Sequence, residues 1–153
     1  MRDLPADRET IRKLAVDAFN HAWTLMELGH DRTTEQDFEL IHTTHASRYL
    51  WAFVGEPVHL ARGEWQVSRV YAVLGRREPA LVHARRCLDI LEAEGIGDWD
   101  IAFAHEALAR AYAVAGDSHN AAKHVDEARQ LAAAIKDDED RELVLADLET
   151  IQA

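Results

Sequence analysis

The chain has 153 residues, of which 48 % are hydrophobic, and its formal net charge is −11. This length and apolar fraction suit one domain with its own core, while the charge argues against a nucleic-acid partner, which would need a basic surface. No apolar run approaches the roughly 18 residues that a membrane span requires, so we expect no membrane partner either.

Two local features predict the compartment. The first residues, MRDLPADRET, lack the apolar segment of a secretory signal. Cys87 is the single cysteine, so no internal disulfide can form, which suits a reducing environment. The sequence therefore predicts a cytoplasmic protein.

Prolines and glycines divide the chain into segments of helical length. The prolines stand where helices should begin, and no run of β-branched residues with period two competes with helix. Glycine tolerates the left-handed conformation of helix C-caps. The glycines expected to end helices are Gly29, Gly55, Gly75, Gly95 and Gly116. We predict helices over residues 7–28, 33 or 34–54, 57–74, 78–94 and 98–115, a sixth from 117 or 118, and a seventh after 137.

Helix starts carry weaker signals. Asp7 is the predicted N-cap of the first helix, and Thr34 with Asp37 three residues on is a distant form of the capping box for the second. Short connections force consecutive helices to pack antiparallel. We predict an all-α fold, a right-handed stack of antiparallel hairpins in a single domain, 1–153. Its parts are a degenerate first hairpin (8–54), a second (57–95), a third (98–135) and a capping helix (137–152).

One pattern occurs twice along the chain, 41 residues apart. Tyr71 and Gly75 in the first copy correspond to Tyr112 and Gly116 in the second. Internal repetition at such a period indicates stacked helical hairpins.

The two copies resemble tetratricopeptide repeats. The residues that carry the resemblance are Val67, Ser68, Tyr71, Gly75, Ala80 and Cys87 in the first copy, and Leu108, Ala109, Tyr112, Gly116, Asp117, Ala121 and Ala128 in the second. It covers residues 60–135, with a period longer than the usual value of about 34. The whole chain is also similar to bacterial single-domain proteins described only as tetratricopeptide-like. The resemblance implies a scaffold that binds a peptide or protein segment in a concave groove.

The resemblance assigns the groove to the first helix of each hairpin, and arginines and aromatic rings occupy those positions. Guanidinium groups grip carboxylates with two hydrogen bonds and stack on aromatic rings. We therefore expect a peptide or protein segment, held through a carboxylate, or a small anionic ligand, without a cofactor. The predicted groove residues are Asn20, Trp23, Arg62, Trp65, Arg69, Phe103, Glu106 and Arg110.

The same arginines could instead form surface ion pairs. Glu64, Asp100 and Glu106 would then neutralise them, and Trp65 would lie in the core. The residues leave both alternatives open.

Nine histidines raise an enzymatic alternative. His42 and His45 stand three apart on the second predicted helix, and His83 lies on the fourth. A zinc site needs several ligands at about 2 Å from the metal, and no HExxH motif occurs. We favour a site without a metal. The alternative is a helical enzyme, dependent on a small molecule or a metal, with a histidine-rich pocket.

A third alternative is a structural subunit of a larger complex. Trp51 and Phe53 could form a patch for self-association, or they could cover the core of the first hairpin. A homodimer is therefore a possible assembly.

Overall fold

The computed structural model describes residues 3–151 and contains seven α-helices in that range. They are α1 (Arg8–Glu27), α2 (Thr34–Val54), α3 (Pro57–Val73), α4 (Arg77–Glu94), α5 (Asp98–Val114), α6 (Ser118–Ala133) and α7 (Asp138–Glu149), with a short 3-10 helix at Gly29–Asp31. No strand occurs among these residues, so the predicted all-α class with about seven helices is confirmed. The predicted end of the last helix, residue 152, lies outside the described residues.

Local capping explains where the first two helices begin. The carboxylate of Asp7 accepts a hydrogen bond of 2.9 Å from a first-turn amide, as predicted. At α2, Thr33 and Gln36 form a capping box in which each side chain accepts from the backbone of the other. The predicted pair, Thr34 and Asp37, was wrong by one residue, because the hydroxyl that meets the orphan amide belongs to Thr33.

Gly55 differs from the other glycines that were expected to end helices. Its backbone is extended, with φ −94° and ψ 170°, whereas Gly95 has the expected left-handed conformation with φ 65°. A Cβ on Gly55 would lie 2.8 Å from the carbonyl oxygen of Trp51. Glycine is required there by close approach at the α2–α3 connection, and not by the sign of φ.

Consecutive helices pack against one another along the described chain. The pairs α1–α2, α3–α4 and α5–α6 form the hairpins, and α3 also contacts α1 and α5. Helix α7 packs on α5 and α6. This arrangement brings the first helices of the three hairpins to one neighbourhood. The right-handed stacking, the single domain and the resemblance to tetratricopeptide repeats stay predictions.

Small side chains fill the core where α3, α4 and α5 meet. Ala80, Ala84, Ala104 and Ala111 are fully buried there. Such side chains allow neighbouring helix axes to come close together. Within residues 3–151, no helix combines the length and apolar character that crossing a bilayer would require.

Trp51 and Phe53 belong to the core of the first hairpin. Trp51 is buried and stacks on His59 with ring centroids 4.5 Å apart. Phe53 is half-buried against the same cluster of side chains. Both side chains therefore pack on the core of the first hairpin, which was one of the two alternatives that the sequence left open.

Candidate functional site

A cavity of about 330 Å³ lies between α1, α3, α4 and α5. Five aromatic side chains line it, together with apolar residues of α3 and α4 and the ion pair of Arg62 and Asp100. Its volume is near the lower end of the range for ligand pockets, about 300–1,000 Å³. The cavity can therefore hold one large side chain or a small molecule. The aromatic residues are Phe19, Trp23, Trp65, Trp99 and Phe103.

Four of these rings form a continuous wall. The ring centroids are 5.6 Å apart for Trp23 and Trp65, 5.6 Å for Trp65 and Phe103, and 6.0 Å for Trp99 and Phe103. These distances fall in the range where aromatic pairs attract each other. The wall is therefore held in place by its own ring contacts before any ligand enters.

Arg62 stands at the edge of the cavity and is held by α5. Its Nε and Nη2 donate to the two carboxylate oxygens of Asp100 at 2.9 and 3.0 Å. Its guanidinium carbon lies 4.3 Å from the ring centroid of Trp99. Among the described residues, the Nη1 group has no hydrogen-bond partner. Asp100 neutralises the charge of Arg62, but the N–H groups of Nη1 remain for a ligand.

Glu106 is fully buried and joins three of the predicted groove residues. Its Oε1 accepts hydrogen bonds from Nη2 of Arg69 at 3.2 Å and from Nε of Arg110 at 2.9 Å. Its Oε2 accepts from the indole N–H of Trp65 at 3.2 Å. A buried carboxylate is tolerated when it is paired and hydrogen-bonded in this way.

The same two arginines also bind α7. Nη2 of Arg69 donates to the carboxylate of Asp147 at 2.8 Å. Nη2 of Arg110 donates to the carbonyl oxygen of Asp147 at 3.0 Å and to the hydroxyl of Thr150 at 2.7 Å. The chain's own last helix thus covers the arginine part of the predicted groove, and the aromatic part forms the cavity.

The structure brings together seven of the eight predicted groove residues. Asn20 is the exception, because its side chain is exposed on α1 and does not line the cavity. Trp23, Arg62, Trp65 and Phe103 line the cavity, and Arg69, Glu106 and Arg110 form the adjoining ion network.

Sequence reasoning missed Phe19 and Trp99 as cavity residues. Each stands four residues before a residue that was chosen, Trp23 and Phe103 respectively, and so shares its helix face. That spacing could have identified both. No sequence signal could have identified Asp147, which is 78 residues from Arg69.

The three histidines of the enzymatic alternative are only partly brought together. His45 and His83 lie together, with ring centroids 5.6 Å apart, and His42 is exposed. Nε2 of His45 is 2.8 Å from the hydroxyl of Tyr71, and Nδ1 of His83 is 2.6 Å from a carboxylate oxygen of Glu64. Within residues 3–151, no group of three or more His, Cys, Asp or Glu side chains is arranged to hold a metal ion.

Burial, hydrogen bonds and nearby charges together set the pKa values of Glu64 and His45 in this cluster. Burial alone would raise the pKa of Glu64, but the hydrogen bond from His83 and the charge of Arg48 lower it below its ordinary value. Burial, and then the charge of His83, lowers the pKa of His45. The cluster is therefore a polar link between α2, α3 and α4, with an ionised carboxylate at its centre.

No family model, no curated protein and no solved structure matches the chain. The cavity and the ion network are therefore interpreted from their own residues.

Proposed function

We propose that this protein is a recognition module that binds a peptide or protein segment, and that the cavity holds one apolar side chain of that segment. The observation that supports this is the cavity of about 330 Å³ lined by five aromatic side chains. Tryptophan, tyrosine and arginine are enriched among the few residues that dominate the binding energy of protein interfaces. The resemblance to tetratricopeptide repeats independently favours peptide binding.

Arg62 has a specific part in this proposal. Its Nη1 group has no hydrogen-bond partner within residues 3–151, and Arg62 lines the cavity, so this group can donate to a backbone carbonyl or a carboxylate of the bound segment. Asp100 and Trp99 hold the guanidinium in position, so less conformational entropy is lost when the segment binds.

Selection from a displayed library of short random peptides tests the proposal. We expect the enriched peptides to share one large apolar residue. Ala61 is buried and lines the cavity, so Ala61→Leu places extra carbon atoms where that residue should sit. We expect this variant to bind the selected peptides at least tenfold more weakly, a loss of about 1.4 kcal/mol.

The matched control is Ala46→Leu, because Ala46 is exposed on α2, away from the cavity. It should bind like the original protein. Three of the chain's four tryptophans line the cavity, so tryptophan emission reports both binding and intact folding. Equal affinities for Ala61→Leu and Ala46→Leu would place the peptide elsewhere and refute the proposal.

A further inference from the structure

Helix α7 buries fewer side chains than any other α-helix in residues 3–151. Its fully buried side chains are Val144 and Leu148, whereas each of the other six helices in residues 3–151 buries at least four. Leu143 and Leu145, on either side of this buried stripe, are 59 % and 38 % exposed. Segments with few buried apolar contacts open locally before the whole protein unfolds.

The arginines under α7 are also paired with a residue outside that helix. Arg69 and Arg110 are held by Glu106 from within, through contacts that do not involve α7. Two guanidiniums and one carboxylate leave this group one positive charge in excess. The carboxylate of Asp147 supplies the missing negative charge at 2.8 Å from Arg69. The excess positive charge of this group is thus complementary to an acidic segment.

The rest of this surface is apolar. Val144 and Leu148 of α7 pack in one cluster with Ala102 of α5 and with Ala128 and Ala132 of α6. Phe103 of α5 and Val125 and Leu131 of α6 pack against the same cluster, so small and large apolar side chains together form a seat for the apolar side of a helix. The apolar seat and the positive group are adjacent, because Leu148 packs in the seat and its neighbour Asp147 contacts the arginines.

We propose that α7 is displaceable and covers a docking surface for an acidic amphipathic helix of a partner protein. The partner helix would present an apolar residue, a carboxylate three positions later and a second apolar residue directly after it, as Val144, Asp147 and Leu148 do. This surface adjoins the cavity, because Trp99 and Phe103 contact both, but it lies under α7 and takes a different ligand, so the inference goes beyond the proposed function. Helix α7 competes with the partner helix for this surface. Its effective concentration there is high, because its connection to α6 is short.

Fluorescence polarisation with a labelled peptide of residues 137–151 tests this on the full-length chain. In the undocked variant, Val144→Asp with Leu148→Asp, α7 cannot occupy its seat. We expect this variant to bind the peptide at least tenfold more tightly than the original protein does. A peptide with Asp147→Asn should bind at least threefold more weakly, since it loses the charge-assisted hydrogen bond to Arg69.

The matched control is Leu143→Asp with Leu145→Asp, which makes the same change at two exposed leucines of the same helix. It should bind the peptide as weakly as the original protein. Absence of saturable binding to a folded undocked variant would overturn the proposal, and so would equal affinity for the Asp147→Asn peptide and the unchanged peptide. A dimer of the original protein that disappears in the undocked variant, detected by light scattering, would also overturn it, because the occupant would then be α7 of a second copy.

Hydrogen exchange of the unchanged protein gives an answer even if the undocked variant does not fold. We expect the amides of α7 to exchange at least tenfold faster than the buried amides of α3. Equal protection in the two helices would show that α7 does not open separately, which contradicts the proposal.

Discussion

The indole N–H of Trp65 and the carboxylate of Glu106 are joined by a hydrogen bond of 3.2 Å, so the cavity wall and the buried ion network share one side chain. Arg69 connects the two as well, because its guanidinium lies 5.3 Å from the Trp65 ring centroid and donates to Glu106. A substitution at Glu106 should therefore alter the contacts of the cavity wall as well as those of the ion network.

Replacing Glu106 should destabilise the protein strongly. Glu106→Gln leaves Arg69 and Arg110 without their internal counter-charge, and removing one partner of a buried ion pair costs about 3–5 kcal/mol. We expect a loss of about 3 kcal/mol in the free energy of unfolding, measured by urea titration with circular dichroism. The control, Glu142→Gln on the exposed side of α7, should change it by less than about 0.5 kcal/mol. Equal stabilities of the two variants would contradict the prediction.

Acid should destabilise the contact between α5 and α6. Nδ1 of His105 lies 3.0 Å from Nδ1 of His124, and Tyr112 stacks on His124 with centroids 5.5 Å apart. Burial, and then the charge of His105, lowers the pKa of His124 from 6.5 to about 4. Burial also lowers the pKa of His105. The charged neighbours of the pair are Arg85 and Glu92 on α4, and Lys123 and Glu127 on α6.

The sign of this pH dependence follows from proton uptake. Between pH 6.5 and 4 the unfolded chain binds a proton that folded His124 does not, so stability falls as the pH falls through this window. We expect a loss of about 2 kcal/mol from pH 7 to pH 5 for this residue, measured by urea titration at each pH. His124→Gln should remove most of that loss, whereas His119→Gln, at an exposed position, should keep it. If the stability of His124→Gln falls with pH as steeply as that of the original protein, groups other than His124 cause the loss.

Gly63 marks a close approach of α2 and α3. A Cβ at this position would lie 2.7 Å from Cδ of Arg48, whose Nε donates to Glu64 at 2.9 Å. Gly63→Ala must therefore move a pinned arginine, and we expect it to destabilise the protein by about 1 kcal/mol. The gain in helix propensity, also about 1 kcal/mol, is outweighed by the clash and the weakened ion pair.

A double-mutant cycle separates the two effects at Gly63. In an Arg48→Ala background the obstacle is gone, so Gly63→Ala should stabilise by about 0.5–1 kcal/mol through helix propensity. Thermal or urea unfolding of the four proteins measures the difference. The same effect of Gly63→Ala in both backgrounds would mean that Arg48 is not the obstacle.

Cys87 should resist thiol reagents in the folded protein. It is 2 % exposed, and burial, followed by the charge of Asp100, raises the pKa of its thiol well above the ordinary range. We expect labelling by a thiol-reactive dye to be slower than in the unfolded chain by a factor of about 1,000 or more, in line with the rarity of global opening. Labelling of native protein at the unfolded rate would show that the cavity admits reagents as far as α4.

The positions of the helices could be predicted because their signals are local. The predicted ranges 57–74 and 98–115 each differ from α3 and α5 by one residue, since Pro57 and the turn glycines act on the backbone next to them. Most of the candidate site was found for the same reason. Arg62, Trp65 and Arg69 share one face of α3, and face sharing is fixed by the period of the helix.

What each charged side chain binds was decided by the tertiary structure. The arginine pattern predicted an anion site, and the sequence alone left open whether a ligand or the chain itself supplies the anions. In the folded chain Asp100 holds Arg62, while Glu106 and the distant Asp147 hold Arg69. The distance between two charges on different helices depends on how those helices pack, and side-chain packing across the core sets that geometry. Helical periodicity therefore determined which residues face the cavity, and only packing determined which part of the predicted groove stays open and which part α7 covers.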